Sequence, residues 1–361
     1  MLLFKRTYQL PFKHDVPSYT KEYLLKINLY KRFFKFFKRY IYIIVKAQKN
    51  LEVFSILPSH KKILWINIAA PSLGDSLMDL SSRGMLKGRN IDLFTDFKNE
   101  HIYRDDEVFM NVFSKIKDIQ NIQYDLIILD SYSTRSIKIK SLIAPFTPYV
   151  GMFGYFNGPE VNRILFSFHQ MNQLLGYDLS ENKINKIAKN LITISESDKL
   201  IVNDIVPDRY ITIAIGGEWE YKTFKKWGEV IKQIIALDEG LDIVLVGSNN
   251  AINSSQEILN KFSKYNFLNF TARLTFNQTV GVILKSKVFL CCDGGLLHGA
   301  TAMKVNTAVL LARLEPDMLL TKNTSALSLY DNHNVNKINV NDIILKYREA
   351  FNLFDNHPLD E

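Results

Sequence analysis

The sequence predicts two doubly wound α/β units in tandem, and three observations carry that expectation. With 361 residues, nearly half of them apolar and no low-complexity tract, the chain is too long for one ordinary core and suits two domains. Short apolar runs alternate with amphipathic segments, a β-α-β rhythm that builds parallel sheets covered on both faces. The rhythm breaks once, at the polar and irregular "SESDKLIVNDIVPDR" (195–209), and then starts again. Ligands of such sheets bind beyond the carboxyl ends of the strands, so a site is expected in a central cleft that the two units face.

Each element has its own reason. "KKILWINIAA" reads as a buried strand, and "PSLGDSLMDLSSRGMLKG" as a turn and then a helix. "NIDLFTD", "YDLIILDS" and "YVGMFG" are further strands, separated by segments long enough for crossover helices. The second series runs "YITIAIGG" (strand), "TFKKWGEVIKQIIALD" (helix), "LDIVLVGS" (strand) and "SQEILNKFSKY" (helix), then "VFLCCDGG", "LLHGATAM" and "VNTAVLLA" as strand, helix and strand. The last helix, "VNDIILKYREAFNLF", caps either unit or crosses back to the first; the pattern leaves both open. The expected divisions are an N-terminal arm over 1–60, units over 61–195 and 209–335, and a C-terminal helix and tail over 336–361.

Charge singles out the arm. Residues 1–62 hold fourteen Lys and Arg against Asp15, Glu22 and Glu52, a net +11, so the rest of the chain carries −3 of the total of +8. Within "YKRFFKFFKRYIYIIVKAQK", Tyr30, Phe33, Phe34, Phe37, Ile41 and Ile44 share helical spacing, while Lys31, Lys35, Lys38, Lys46 and Lys49 follow another face. Such a helix suits an anionic membrane surface, with rings at headgroup level and lysines near lipid phosphates; equally it suits a helix packed on its own domain. No nucleic-acid-binding motif accompanies the charge, so nucleic acid is not an expected partner. The cysteines Cys291 and Cys292 are adjacent, a spacing that suits neither a disulfide nor a metal site and fits a reducing compartment. No run approaches the ~20 apolar residues of a membrane span, and the N-terminus lacks the pattern of a signal peptide.

Three strand-to-helix junctions carry residues unusual for mere connectors. In "AAPSLGDSLMD", Gly74 and Asp75 open a helix just past a strand, where the helix dipole favours a carboxylate; an aspartate there equally serves as a helix cap. In "AIGGEWEYKTFKKW", Gly216 and Gly217 let backbone N–H groups approach a bound group, and Lys222 can neutralise phosphate. Lys225 and Lys226 read as solvated residues there and Trp227 as core. In "FLCCDGGLLHGATAM", Asp293 is expected to cap a helix starting at about Leu296, whose free N–H groups and dipole would meet an anion beside Gly294 and Gly295. His298 would add a hydrogen bond or charge, or be an ordinary core histidine, and Gly299, Ala300 and Ala302 permit close packing of the helix on the sheet.

In this order and spacing the junctions resemble those of the bacterial ADP-heptose:lipopolysaccharide heptosyltransferases, glycosyltransferase family 9. That resemblance, over roughly 62–312, implies two Rossmann-like domains in the GT-B arrangement, acceptor domain first and nucleotide-sugar donor domain second. "ILWINIAAPSLGDSLMDLSSRGML" is similar to the family's first strand and its xLGDxL motif, which implies that Asp75 is the catalytic base. "ITIAIGGEWEYKTFKKWGEVI" is similar to the segment whose lysine contacts the donor phosphate, which implies that role for Lys222. "VFLCCDGGLLHGATAMKVNTAVLL" resembles the D-[ST]-G-x-x-H-x-A-A motif, matching Asp293, Gly295 and His298, with donor pyrophosphate on the backbone of Gly294 to Leu296. The chain departs from the pattern at Gly294, which replaces a Ser or Thr, and at Phe224, which replaces a Trp. It also lacks the acidic residue that often follows the "LDIVLVGS" strand and holds the ribose.

What the resemblance implies is an inverting transferase that needs no metal or other cofactor and moves heptose from ADP-heptose to a lipid A–core or other lipid-linked glycan. It would work as a cytoplasmic protein held peripherally at the inner membrane, with Lys31, Lys35 and Lys38 of the arm at acceptor or membrane. The alternatives are a transferase using another nucleotide sugar and a binding protein that has kept the fold and lost turnover.

Overall fold

A computed structural model describes residues 28–356 apart from 120, 159 and 325. The part of the basic arm before residue 28 and the tail after 356 lie outside the described residues. The chain divides into two compact units, residues 1–190 with 317–323 and residues 191–316 with 324–361.

In the first unit, helix α1 (Leu29–Val45) precedes strand β1 (Lys62–Asn67), helix α2 (Leu73–Asp79), β2 (Asn90–Thr95), α3 (Phe97–Tyr103), β3 (Phe109–Phe113) and β4 (Leu126–Leu129). Then come α4 (Thr134–Ile143), β5 (Tyr149–Gly151), α5 (Arg163–Leu174) and α6 (Glu181–Ile187). All five strands are parallel, in the order β3-β2-β1-β4-β5. Strand β3, "FMNVF", has only one buried residue, which is why its apolar signal is weak in the sequence. β1 and β4, buried almost throughout, are continuous apolar runs of the kind that parallel central strands show.

Helix α1 is part of this unit. Phe36 and Ile43 are fully buried in its core beside Tyr132, Tyr149 and Tyr155, with the Phe36 and Tyr155 rings 4.9 Å apart. Past the helix, Gln48 donates to the Pro145 carbonyl and accepts from the buried Lys140, and Val53 N–H donates to Tyr149, covering the β5 edge of the sheet. The buried face is narrow, and Leu29, Tyr30, Phe33, Phe34, Phe37, Ile41, Ile44 and Val45 remain exposed.

The second unit opens with helix α7 (Glu196–Ile205). This corrects the irregular stretch expected there: Ser195 caps the helix by accepting from Asp198 N–H, and Glu196 and Asp198 favour its N-terminus. Only Val202 is buried on it, against Gly281, so the segment shows almost no apolar periodicity. There follow β6 (Tyr210–Ala214), α8 (Trp227–Leu237), β7 (Asp242–Val246), α9 (Ile252–Lys261), β8 (Phe267–Asn269), α10 (Phe276–Lys285), β9 (Phe289–Cys292) and α11 (Gly295–Ala302). β10 (Thr307–Ala312), β11 (Ala326–Asp331) and α13 (Val340–Asn356) complete the unit, and the short α12 (Pro316–Leu319) between β10 and β11 falls almost wholly in the part of the chain that belongs to the first unit. The sheet order is β11-β10-β9-β6-β7-β8. Of the two positions open to the final helix, α13 takes the second unit: Val340, Ile343, Ile344, Tyr347 and Ala350 pack in the core with Trp227, Val230 and Leu310.

Both sheets thus have one order. Counted within its own unit, each runs 3-2-1-4-5, the second adding a sixth strand, so each reverses direction between its first and fourth strands. The two expected α/β units are present. No helix among the described residues is long and apolar enough to cross a membrane.

Candidate active site

In the second unit the reversal lies between β6 and β9. Past β6, Gly216 has φ +94°, and a Cβ there would come within 2.9 Å of Ala251 Cβ and 3.0 Å of Asn250 Oδ1, so only glycine fits. Asn250 Nδ2 donates to the Gly217 carbonyl over 2.8 Å, drawing in the loop. A Cβ on Gly217 would stand 2.6 Å from Thr223 Oγ1, so this second glycine serves a tight loop closure. The loop then makes a single 3₁₀ turn, Glu220–Lys222, and Trp227 behind it is core, as expected.

Lys222 Nζ is ion-paired with the Asp293 carboxylate. This corrects the capping role expected of Asp293: the N-cap of α11 is Gly294, no side chain caps the helix, and Asp293 turns across the sheet to the lysine. The helix begins at Gly295, one residue before the expected start. Gly294 has extended backbone, and a Cβ there would meet nothing within 4 Å. The first N–H groups of a helix have no partners inside it, so α11 presents them with the positive end of its dipole beside an open space. His298 in the first turn is 2% exposed. Gly299 does permit close packing, but against α10, where a Cβ would come within 2.5 Å of Val280 Cγ2. Cys291 and Cys292 are free, buried thiols; burial pushes Cys292 up to about 12 and Cys291 well above its ordinary range, so they are strand filling.

Arg313, a residue the sequence reading missed, follows β10 with φ +69° and lays its guanidinium 3.7 Å from the centre of the Tyr221 ring, next to Lys222. Nothing in its sequence neighbourhood signals this, because the contact depends on the fold bringing β10 beside β9.

In the first unit the reversal lies between β1 and β4. Asp75 sits in the first turn of α2, where Ser72 caps the helix by accepting from Asp75 N–H and donates its hydroxyl to Asp75 Oδ2 at 2.7 Å. The Asp75 carboxylate is partly exposed, and Arg163 Nε lies 3.6 Å from Oδ1. One turn on, Asp79 is 2% exposed and accepts a two-pronged pair of bonds from Arg163, 2.8 Å from Nε and 2.6 Å from Nη2. Burial pushes Asp79 up to about 6 against the pull of Arg163, with Asp75 and Asp130 adding repulsion. Burial also opposes the charge on Arg163, but Asp79 and Asp75 outweigh it and hold its pKa above the usual arginine range. Asp130, past β4, accepts from the N–H groups of Ile68, Ala69 and Ser131 and from Ser136 Oγ; burial still raises its pKa.

Asp79, Arg163 and Asp130 were missed from sequence, and one signal was there. Asp75 and Asp79 are four apart on one helix face, an unfavourable like-charge pair unless a cation joins them. The cation comes 84 residues later in the chain.

The basic residues of α1 divide. Lys31, Lys35 and Lys38 are all exposed, and Lys35 also lines, with Arg39, a cavity of about 310 Å³ in the first unit, together with Ala69, Asp79, Asp130 and Arg163. Partial burial, then Arg39 and Arg32, lower the pKa of Lys35.

The comparisons with known proteins agree with this architecture. Among functionally curated proteins none matches the sequence. The structure is similar to a family 9 glycosyl transferase from Veillonella parvula, at 12% identity and a TM-score of 0.70, covering 83% of this chain and 100% of that one. It is also similar to E. coli ADP-heptose LPS heptosyltransferase II (18% identity, TM-score 0.65, 81% and 99% covered). E. coli heptosyltransferase WaaC with ADP follows at 15% identity, TM-score 0.60, with 80% and 99% covered. The family model "Glycosyltransferase family 9 (heptosyltransferase)" matches residues 156–348, more than half of the chain, including Lys222 and the Asp293–His298 stretch but not Asp75. This chain therefore belongs to glycosyltransferase family 9 and is a glycosyltransferase of the heptosyltransferase type.

Proposed function

We propose that this glycosyltransferase is an inverting enzyme that moves heptose from ADP-heptose onto a lipopolysaccharide or lipooligosaccharide core. The observation that carries the donor half is the Lys222–Asp293 pair beside the uncapped start of α11. Asp293 fixes where the ammonium sits, beside the first amides and the dipole of α11. These suit a diphosphate whose charge grows as the bond to the sugar breaks. The similar WaaC structures hold ADP and ADP-2-deoxy-2-fluoro heptose, which supports a nucleotide diphosphate sugar as donor.

Asp75 is the base of this reading. Its carboxylate takes the proton of the acceptor hydroxyl, and the oxygen attacks the anomeric carbon from the side opposite the diphosphate. The carbon–oxygen bond to ADP breaks with its electron pair leaving on the diphosphate. Ser72 and Arg163 hold the carboxylate from two directions and so fix its aim. With Lys222 and the α11 amides meeting the leaving charge, the step asks for no metal.

The arm belongs to the acceptor side. The exposed rings of Tyr30, Phe33, Phe34 and Phe37, flanked by Lys31 and Lys38, suit the headgroup layer of an anionic membrane. We place the enzyme peripherally on the cytoplasmic face of the inner membrane, where a lipid-held acceptor would be.

A second reading, another nucleotide sugar, is favoured by one observation. Past β7, where an acidic residue would hold a ribose, the loop has Asn250, already engaged with the Gly217 carbonyl. A mass-spectrometric transfer assay with ADP-heptose and a truncated core acceptor decides between them. Wild type should add one heptose mass; Asp75→Asn should add almost none, and Lys222→Ala should lose about 10²-fold or more in kcat. Transfer from a different nucleotide sugar alone would reject the donor, and an active Asp75→Asn would reject the base.

A further inference from the structure

Arg313 is held under strain at the end of β10. Leu314 N–H donates to the Ala312 carbonyl over 2.9 Å, closing a γ-turn around Arg313 at φ +69°, the positive-φ form that few side chains adopt. Glycine or asparagine would hold that turn more easily, so an arginine there points to a use for its side chain. The turn is fixed from the neighbouring strand: β10 and β11 stay in parallel register up to Ala312 and Asp331, and Arg313 N–H donates to the Asp331 carbonyl.

The side chain has a built seat. Its guanidinium lies 3.7 Å from the centre of the Tyr221 ring, and Nε donates to the His333 carbonyl at 3.4 Å. Tyr221 is partly buried against the core of the unit, and Asn336 pins the loop that follows it, accepting from Lys225 N–H at 2.7 Å and donating to the Thr223 carbonyl at 2.8 Å. Lys222 Nζ lies 5.7 Å from the centre of the same ring, so one tyrosine carries two cations. They differ in what else they meet. Lys222 is ion-paired with Asp293, and that pair as a whole is neutral; Arg313 is exposed and, among the described residues, makes no ion pair. Two acids that flank the seat are engaged elsewhere: Asp331 accepts from the N–H groups of His333 and Asn334, and Glu220 is paired with Lys225.

We propose that Arg313 binds the sugar-side phosphate of the donor diphosphate, with Tyr221 as the residue that positions it. The proposal rests on the reading that the second unit takes a nucleotide diphosphate sugar, and it deepens that reading by naming a further cation. In the sheet order β11-β10-β9-β6-β7-β8, the loop past β7 that would face the ribose lies on one side of β6 and β9, and β10 lies on the other. A ligand with its ribose towards β7 and its diphosphate past β6 and β9 therefore brings its outer phosphate towards Arg313. When the bond from the sugar carbon to that phosphate's oxygen breaks, the electron pair stays on the oxygen, and a planar guanidinium meets the growing charge with two N–H groups at once. With Nε on the His333 carbonyl, the Nη groups are the ones that would make those bonds.

The test uses the full chain and titration calorimetry with ADP, UDP and GDP, each beside its monophosphate. Wild type should bind at least one diphosphate, and more tightly than the matching monophosphate. Arg313→Gln should weaken that diphosphate at least about tenfold and the monophosphate by a much smaller factor, as loss of a charge-assisted bond to the outer phosphate requires. Arg313→Lys should recover part of the loss, because the charge returns without the two-pronged fork. Arg313→Asn separates binding from fold: it relieves the turn, so it should melt no lower than wild type and still lose the diphosphate as Arg313→Gln does. Tyr221→Leu, which removes the ring under the guanidinium, should give a smaller loss in the same direction. Wild-type affinity for the diphosphate in both Arg313→Gln and Arg313→Asn overturns the proposal and leaves the donor reading standing. Equal losses of diphosphate and monophosphate also overturn it, because Arg313 would then serve the nucleoside or the fold. Wild type that binds none of the three diphosphates overturns both. The same Arg313 losses read with UDP or GDP alone support the proposal and reject ADP-heptose as the donor.

Discussion

The two units share a strand order and solve the same problem in different ways. In each, the strand fourth in line ends in an aspartate that reaches across the sheet's reversal point to the loop after the first strand. In the second unit Asp293 finds a lysine, Lys222; in the first, Asp130 finds backbone N–H groups of Ile68 and Ala69. The first arrangement fixes a cation beside a helix start that no side chain caps. The second is closed, and its unit gathers charge elsewhere, on the Asp75–Arg163–Asp79 triad and the cations of α1. One topology thus places a cation at its reversal point only where the loop supplies a side chain rather than its own amides.

The sharpest way to break this comparison is to remove the triad's cation. Arg163→Met leaves Asp79 buried without a partner, and losing one member of such a pair costs about 3–5 kcal/mol. Urea unfolding should show that loss, and the variant should be inactive even where it remains folded, because Asp75 loses its second support. Asp79→Leu/Arg163→Met should recover much of the stability and none of the activity. If the single variant were as stable as wild type, the triad would be a surface ornament and the contrast between the units would fail.

What was legible in the sequence follows the same division. The residues proposed for the donor come from two short windows, 216–222 and 293–298, where local glycine, aspartate and lysine patterns single them out. The charged cluster of the first unit is assembled from α1, α2, the loop past β4 and the start of α5, so no window contains it. Arg163 and Arg39 look like ordinary surface arginines until the fold brings them to Asp79 and Asp130. The arm's helical face was legible, but which way it points was not: Phe36 and Ile43 anchor it by a narrow ridge, and the larger apolar stripe is the one left outside. Helix α7 was missed because propensity and a serine cap build it, with a single buried valine to mark it.

A smaller effect sharpens the comparison through pH. Asp79 is raised from its ordinary range to about 6, chiefly by burial, with Asp75 and Asp130 adding repulsion and Arg163 opposing them. A carboxyl raised in the folded state favours folding most when protonated. Its contribution is full below the ordinary carboxyl range, falls as pH rises towards about 6, and is absent above that. Activity should run the other way. Below about pH 6 a protonated Asp79 weakens its hold on Arg163, so kcat/KM should fall there with the dependence of one proton. In Asp79→Asn that limb should vanish from the profile. The buried thiols of the second unit, with Cys292 near 12, titrate far above this range.

The smallest predicted effect concerns Gly294, where the family's hydroxyl is missing. Two glycines of the donor unit look alike in sequence and differ in physical standing. Gly216 has a backbone that side chains rarely adopt and neighbours within 3 Å of any Cβ, so Gly216→Ala should cost more than 1 kcal/mol and distort the loop that carries Lys222. Gly294 has extended backbone and open space, so Gly294→Ser should change stability by no more than about 0.5 kcal/mol. A serine there would also cap α11 and offer a hydroxyl to whatever the helix end binds, so the affinity for ADP, read by calorimetry, should hold or rise. The space beside Gly294 is then an unused position in the donor site rather than a constraint of the fold. A Gly294→Ser protein that melts several degrees lower would show instead that the chain, and not the ligand, requires the glycine.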